Sequence, residues 1–208
     1  MSVLKLFHAW GSCSLASLIA LEEAGADYEL MVMDTKAGDQ REAQYLAINP
    51  KGRVPALLTD RGVLTETPAI LAWIAQTYPA ARLAPLDDPF AFAQAQAFNS
   101  YLCSTVHVAH AHKHRGYRWA DDPAALAHLT SKVPEVETAC YRLIEAEMVA
   151  GPWALGEAFS ICDAYLFTVA GWLEGDGVDV RQFPKVRAIC EGVRKRPAVR
   201  KVLAEEAA

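Results

Sequence analysis

The sequence predicts an α/β domain followed by an all-α domain. Three observations carry this. Strand and helix patterns alternate up to residue 78. A stretch with three prolines, two adjacent aspartates and no periodicity follows at 79–89, and beyond it only helical spacing remains. Domains are therefore expected at 1–80 and 90–208, with a linker at 81–89.

Residues 3–7 (VLKLF) read as a short strand with β-favouring ends. Residues 15–24 place apolar side chains at helical spacing, and Gly25 is a natural stop. Residues 28–33 (YELMVM) alternate as a second strand, and 41–46 read as a short helix broken by Asn49-Pro50-Lys51-Gly52. Residues 54–58 form a third strand, and Asp60-Arg61-Gly62 turns it into Val63-Leu64. Residues 66–78 close the unit as a helix with Ile70 and Ile74 on one face. Strand, crossover helix, strand implies a parallel pair, and the hairpin adds an antiparallel one. Beyond the linker, helices are expected at 90–114, 124–148, 160–173 and 183–204, the last interrupted by Pro197.

Composition narrows the function classes. A net charge of -5, from 20 basic and 25 acidic residues, does not suit a general nucleic-acid binder. The basic cluster of Arg194, Lys195, Arg196, Arg200 and Lys201 reads as a solvated helix end. The 5 cysteines are widely spaced and form no CxxC pair, which disfavours a disulfide framework and a cysteine-rich zinc site and suits a reducing cytosol. No signal-peptide pattern stands at the N-terminus, and the apolar run 15–21 ends at Glu22-Glu23, short of a membrane span. A soluble cytoplasmic protein, with neither membrane nor nucleic-acid partner, is the expectation.

Cys13 sits where the first strand turns into the first helix. Unpaired N–H groups and the positive end of the helix dipole favour a thiolate there, and Gly11 and Ser12 supply a small, flexible turn. The Ser14 hydroxyl can donate to a sulfur held in the same place. A small buried hydrophobe is the competing reading of Cys13. A cis peptide at Val54-Pro55 would expose the Val54 N–H and C=O to an extended ligand, whereas a trans proline would merely end the loop. Glu66 and Thr67 at a helix start, with Pro68 in its first turn, suit the ammonium and carboxylate of an amino-acid end group; alternatively Thr65 or Thr67 is only a cap.

Taken together, the Cys13 turn, NPKGRVPAL (49–57) and LTETPAI (64–70) resemble the cytosolic glutathione transferase family, above all its bacterial beta class. The resemblance covers essentially the whole chain. It implies a thioredoxin-like first domain, an all-helical second one, a homodimer and a detoxification role. Glutathione would be the co-substrate, conjugated to a hydrophobic electrophile. By this resemblance the Val54 backbone pairs with the cysteinyl part of glutathione ahead of cis Pro55. Glu66 and Thr67 hold its γ-glutamyl end, Lys36 helps bind the glycyl carboxylate, and Arg53 stands beside the pocket. Two departures stand out. Thr67 replaces the usual serine and keeps the hydroxyl. Phe7 stands where many relatives have tyrosine, so sulfur activation falls to Cys13, Ser12, Ser14 or the second domain.

In the helical part, Asn99, Cys103, His107, His110 and His114 recur at spacings that place them on one helical face, with His112 off it. Asn99 and His107 match an asparagine and a histidine that, in the beta class, face the Cys13 site. His107 could then support a thiolate or protonate a leaving group. The histidine spacing also invites a metal reading, but no carboxylate or cysteine motif joins it, and no metal is expected. His110 and His114 are read as pocket wall or surface, and Tyr117 and Trp119 either line an electrophile pocket or pack. Ser160 and Asp163 form a capping box of structural purpose. Function is thus expected to be glutathione conjugation by Cys13, Ser14 and His107. Cysteine-centred thiol transfer and non-enzymatic ligand binding are the alternatives.

Overall fold

The computed structural model describes residues 3–206, and the chain divides into two compact units. One runs to Ala93 and includes the segment from Arg194 onward; the other is Gln94–Val193.

The first unit holds a 4-stranded sheet in the order β2-β1-β3-β4. Its strands are β1 (Leu4–His8), β2 (Tyr28–Val32), β3 (Ala56–Thr59) and β4 (Gly62–Thr65). β1 runs parallel to β2 and antiparallel to β3, which pairs antiparallel with β4. This is the expected βαβαββα order with its mixed sheet. β1 lies one residue later than the sequence suggests, because His8 is still paired, to Val32. β3 starts at Ala56, since Val54-Pro55 is a cis bond, not a ladder pair.

The helices of this unit are α1 (Ser14–Glu23), α2 (Ala43–Ile48) and α3 (Thr67–Thr77). α1 is buried on every side from Ser14 to Leu21, so the sheet alone cannot cover it. It also packs on α3 and on α9 (Pro197–Glu206). Arg196 clamps Glu23 with two bonds of 2.6 and 2.7 Å, and Lys201 reaches Glu22 at 2.8 Å. Those two members of the basic cluster are therefore ion-paired to α1, not a solvated helix end. The sequence hid this because the partners lie far away along the chain.

The second unit is helical. α4 (Pro89–Tyr101) crosses into it and continues through a π turn at Leu102–Val106 into α5 (His107–Arg115). α6 (Pro123–Leu143), α7 (Ile161–Ala170) and α8 (Pro184–Lys195) follow. The final helical run thus breaks into α8 and α9 at the Arg196-Pro197 step, because proline cannot donate the next intrahelical bond. α7 is buried along its whole length. At its start the capping box is formed as expected: the Asp163 carboxylate accepts from the Ser160 N–H at 2.8 Å, the Ser160 hydroxyl at 2.9 Å and the Ala154 N–H at 2.7 Å. Among the described residues, no helix is long and apolar enough to cross a membrane.

Candidate functional site

Sheet register alone brings three separated segments to one end of the first unit. Phe7 pairs with Ala56, and Ala56 pairs with Thr65. The turn after β1, the loop before β3 and the residue after β4 therefore meet. They carry Cys13, Val54-Pro55 and Glu66-Thr67.

Cys13 is 8% exposed and caps α1. Its Sγ stands 3.5 Å from the Val54 carbonyl oxygen, at the cis Val54-Pro55 bond. Gly11 makes this turn possible at φ 71, and its N–H donates to the Glu206 carboxylate at 3.1 Å.

The loop into Val54 is braced from beneath. Buried Asn49 and Tyr45 both donate to the Arg53 carbonyl, at 2.7 and 2.6 Å. Gly52 lies at φ 59, where a Cβ would stand 3.1 Å from the Gln40 carbonyl oxygen. The Arg53 and Lys36 side chains are exposed, and the Lys36 N–H closes a turn on Asp34 at 2.8 Å.

Glu66 has φ 72 and ψ 120, a conformation few non-glycine residues adopt. Its carboxylate is held at 2.6 Å by Lys51, which also donates to the Thr65 hydroxyl at 2.8 Å. Thr67 is buried at the first turn of α3, next to Pro68. A carboxylate thus stands beside a helix N-terminus, with a cation already on it. That arrangement can take an ammonium on Glu66 and a carboxylate on the α3 N–H groups.

Ser14 departs from expectation. Its hydroxyl is fully buried and engages His8 Nδ1 at 2.7 Å, Ser12 Oγ at 2.7 Å and the Ala9 N–H at 3.1 Å. It braces the turn from inside, because β1 ends with a buried histidine directly below it. Burial pushes the His8 pKa down to about 4, against a smaller opposing pull from the Ser14 hydrogen bond.

The polar stripe lies in the second unit. Asn99 is wholly buried, and neither side-chain atom finds a partner among the described residues. The π turn after it shifts the helical phase, so the stripe is not one uniform face: it runs from buried Asn99 to exposed His114. His107 packs against Trp172 with ring centroids 4.9 Å apart, and His110 stacks on the same indole at 4.4 Å. His110 Nδ1 also meets buried Asp176 at 2.6 Å. Nearby Glu137 is buried, and its pKa is pushed up to about 8 by burial and then by the Asp176 charge. His112 stacks on Trp119. Among the described residues, no group of three or more His, Cys, Asp or Glu is placed to hold a metal.

A family model, "Glutathione S-transferase, N-terminal domain", matches residues 2–76. The glutathione S-transferase GstA of Escherichia coli O157:H7 is 33% identical over 207 residues, 98% of each chain. The chain belongs to the glutathione S-transferase family. A glutathione transferase homologue from Sulfitobacter, solved with bound glutathione, shares 44% identity and a TM-score of 0.95 across 99% of both chains. The bacterial beta class transferase of Sphingomonas chungbukensis shares 32% identity and a TM-score of 0.84, over 97% of this chain and 98% of that one. The first unit is accordingly the thioredoxin-like part of a transferase fold.

Three residues that the structure places at this transferase's candidate site give little signal in the sequence. Lys51 lies inside the quoted NPKG turn, but its pairing with Glu66 depends on the β3–β4 hairpin. Asn49 reads as a turn former, yet its amide is a buried brace. His8 gives no signal beyond its nearness to Cys13.

Proposed function

We propose that this transferase conjugates glutathione to hydrophobic electrophilic small molecules, with glutathione lying extended along Val54. The observation that carries this is the meeting of Cys13 Sγ and the Val54 carbonyl, 3.5 Å apart, at the cis Val54-Pro55 bond. A peptide ligand paired to the Val54 N–H and C=O presents its cysteinyl sulfur beside Cys13.

On this reading the γ-glutamyl ammonium displaces Lys51 from Glu66, and the γ-glutamyl carboxylate meets Thr67 and the α3 N–H groups. Lys36 and Arg53 supply positive charge for the glycyl carboxylate. The α1 N-terminus lowers the cost of a thiolate. The glutathione thiolate attacks the electrophilic carbon, a carbon–sulfur bond forms, and the leaving group departs with its electron pair. On resemblance alone, His107 and Asn99 are assigned to support the sulfur. A cytoplasmic homodimer is likewise carried over from the family.

The placement of Cys13 favours a second reaction at the same site. Its thiolate attacks the glutathione sulfur of a mixed disulfide and releases the other thiol. A second glutathione thiolate then attacks the enzyme–glutathione disulfide, freeing Cys13 and forming oxidised glutathione. The test is intact mass after incubation with oxidised glutathione, for the wild type and Cys13→Ser, beside turnover of an aromatic halide and of a mixed disulfide. One glutathione adduct lost in Cys13→Ser, with fast disulfide turnover, establishes thiol transfer. Robust conjugation with no adduct leaves conjugation alone. Neither activity, and no glutathione binding by calorimetry, overturns the proposal.

A further inference from the structure

His8, Ser14 and Ser12 form a hydrogen-bonded chain that leads from the core to the Cys13 turn, wholly within the first unit. Its polarity follows from counting donors and acceptors. His8 is fully buried, and its Nε2 has no hydrogen-bond partner among the described residues. A proton on Nε2 would thus have no oxygen or nitrogen acceptor there, and the Trp10 ring, set edge to face with the imidazole at 4.4 Å between centroids, is a far poorer acceptor than oxygen. Orphaned buried donors are rarer than orphaned acceptors. This assigns the proton to Nδ1, which then donates to Ser14 Oγ at 2.7 Å. The second lone pair of Ser14 Oγ receives the Ala9 N–H at 3.1 Å. With both lone pairs filled, Ser14 cannot accept from Ser12; its one proton faces the Ser12 hydroxyl at 2.7 Å and the Ala9 carbonyl at 3.3 Å, and the shorter contact takes it, from Ser14 to Ser12. Ser12 Oγ also accepts the Ser14 N–H at 3.3 Å. Its own proton has no acceptor left in the chain and is available to a group at the mouth of the turn.

We propose that His8 is a positioning residue which, acting through Ser14, fixes the Ser12 hydroxyl as a hydrogen-bond donor to a thiolate at the Cys13 turn. The inference deepens the functional reading above and rests on it for the identity of a second sulfur, that of glutathione. Phe7 leaves the first strand without a hydroxyl, and Ser12 supplies one from the turn instead. A cationic His8 would also donate from Nδ1, but burial keeps the ring neutral, so the chain holds its polarity without a buried charge. The Val54 carbonyl on Cys13 Sγ and the Glu206 carboxylate on the Gly11 N–H also stand at this turn. Both oppose a thiolate, which gives a directed donor something to offset.

The test is the pH profile of Cys13 alkylation by iodoacetamide, read by mass spectrometry on the Cys13 peptide, with glutathione binding followed in parallel by calorimetry. Hydrogen bonding to the charged form lowers a pKa, so Ser12→Ala and His8→Leu are expected to raise the alkylation midpoint by about one pH unit. His8→Asn, which can place an amide N–H near the Nδ1 position, is expected to restore it. In Ser12→Ala/His8→Leu the midpoint should lie no higher than in Ser12→Ala alone. A purely structural role for His8 predicts no Asn rescue and additive shifts, and either result overturns the proposal. An unshifted midpoint in Ser12→Ala, a partly exposed position whose replacement leaves the core intact, overturns it even if the His8 variants fail to fold. If the wild type binds no glutathione, the functional reading fails while the alkylation comparison still decides the role of His8.

Discussion

The Asn49 amide donates to the Arg53 carbonyl at 2.7 Å, and through that bond a buried side chain sets the loop that delivers Val54 to Cys13. Tyr45 donates to the same carbonyl, so the loop is held from two sides. Asn49→Ala removes one donor and leaves a polar carbonyl half-satisfied, at a cost of about 1–2 kcal/mol. Glutathione KM should rise several-fold in this variant, with a lower Tm, while Tyr45→Phe alone should show a milder form of both. Steady-state kinetics and a thermal melt check this.

Glu66 combines a positive φ with the ligand role proposed for it. Glu66→Gly removes backbone strain worth about 1 kcal/mol or more and sacrifices only an exposed ion pair to Lys51, which is worth little. The expected outcome is a Tm at or above wild type with glutathione binding lost. A fall in Tm would show that the Lys51 bond outweighs the strain.

Asp163 accepts three hydrogen bonds inside the helical unit. Asp163→Ala orphans the donors of Ser160 and Ala154 and should cost about 3 kcal/mol. Ser160→Ala should cost about 1 kcal/mol, as a lost helix cap does. Denaturant melts should reproduce this order, and glutathione KM should stay unchanged in whichever variant folds.

Glu137 gives stability a pH dependence of definite sign. Its folded pKa is raised to about 8 by burial and by Asp176, so the folded state binds a proton that the unfolded state has released. Stability is therefore present in full below the usual glutamate range, near pH 4.5, and is lost as pH rises toward 8. His8 acts oppositely and lower: its pKa of about 4 makes stability fall as pH drops from 6.5 toward 4. Between pH 6.5 and 8 the Glu137 effect stands apart from that of His8. Glu137→Gln should flatten the decline of Tm across that window.

The order of elements, the division into an α/β and a helical part, and the three motifs of the candidate site are all legible in the sequence. Local chemistry writes these directly: alternating apolar residues, turn formers such as Asn49-Pro50, a cysteine at a helix start, and a capping box at Ser160. Whatever depends on residues far apart in the chain comes instead from register and packing. The Phe7–Ala56 and Ala56–Thr65 pairings gather the motifs at one sheet end, and no single segment encodes that register. The burial of α1 on every side calls for α9 to cover it, and Arg196 and Lys201 find Glu23 and Glu22 only then. A π turn shifts the histidine stripe out of simple phase. Ser14 faces inward because a buried His8 waits beneath it at 2.7 Å. A hydroxyl's residue type is local information, whereas its partner is set by packing.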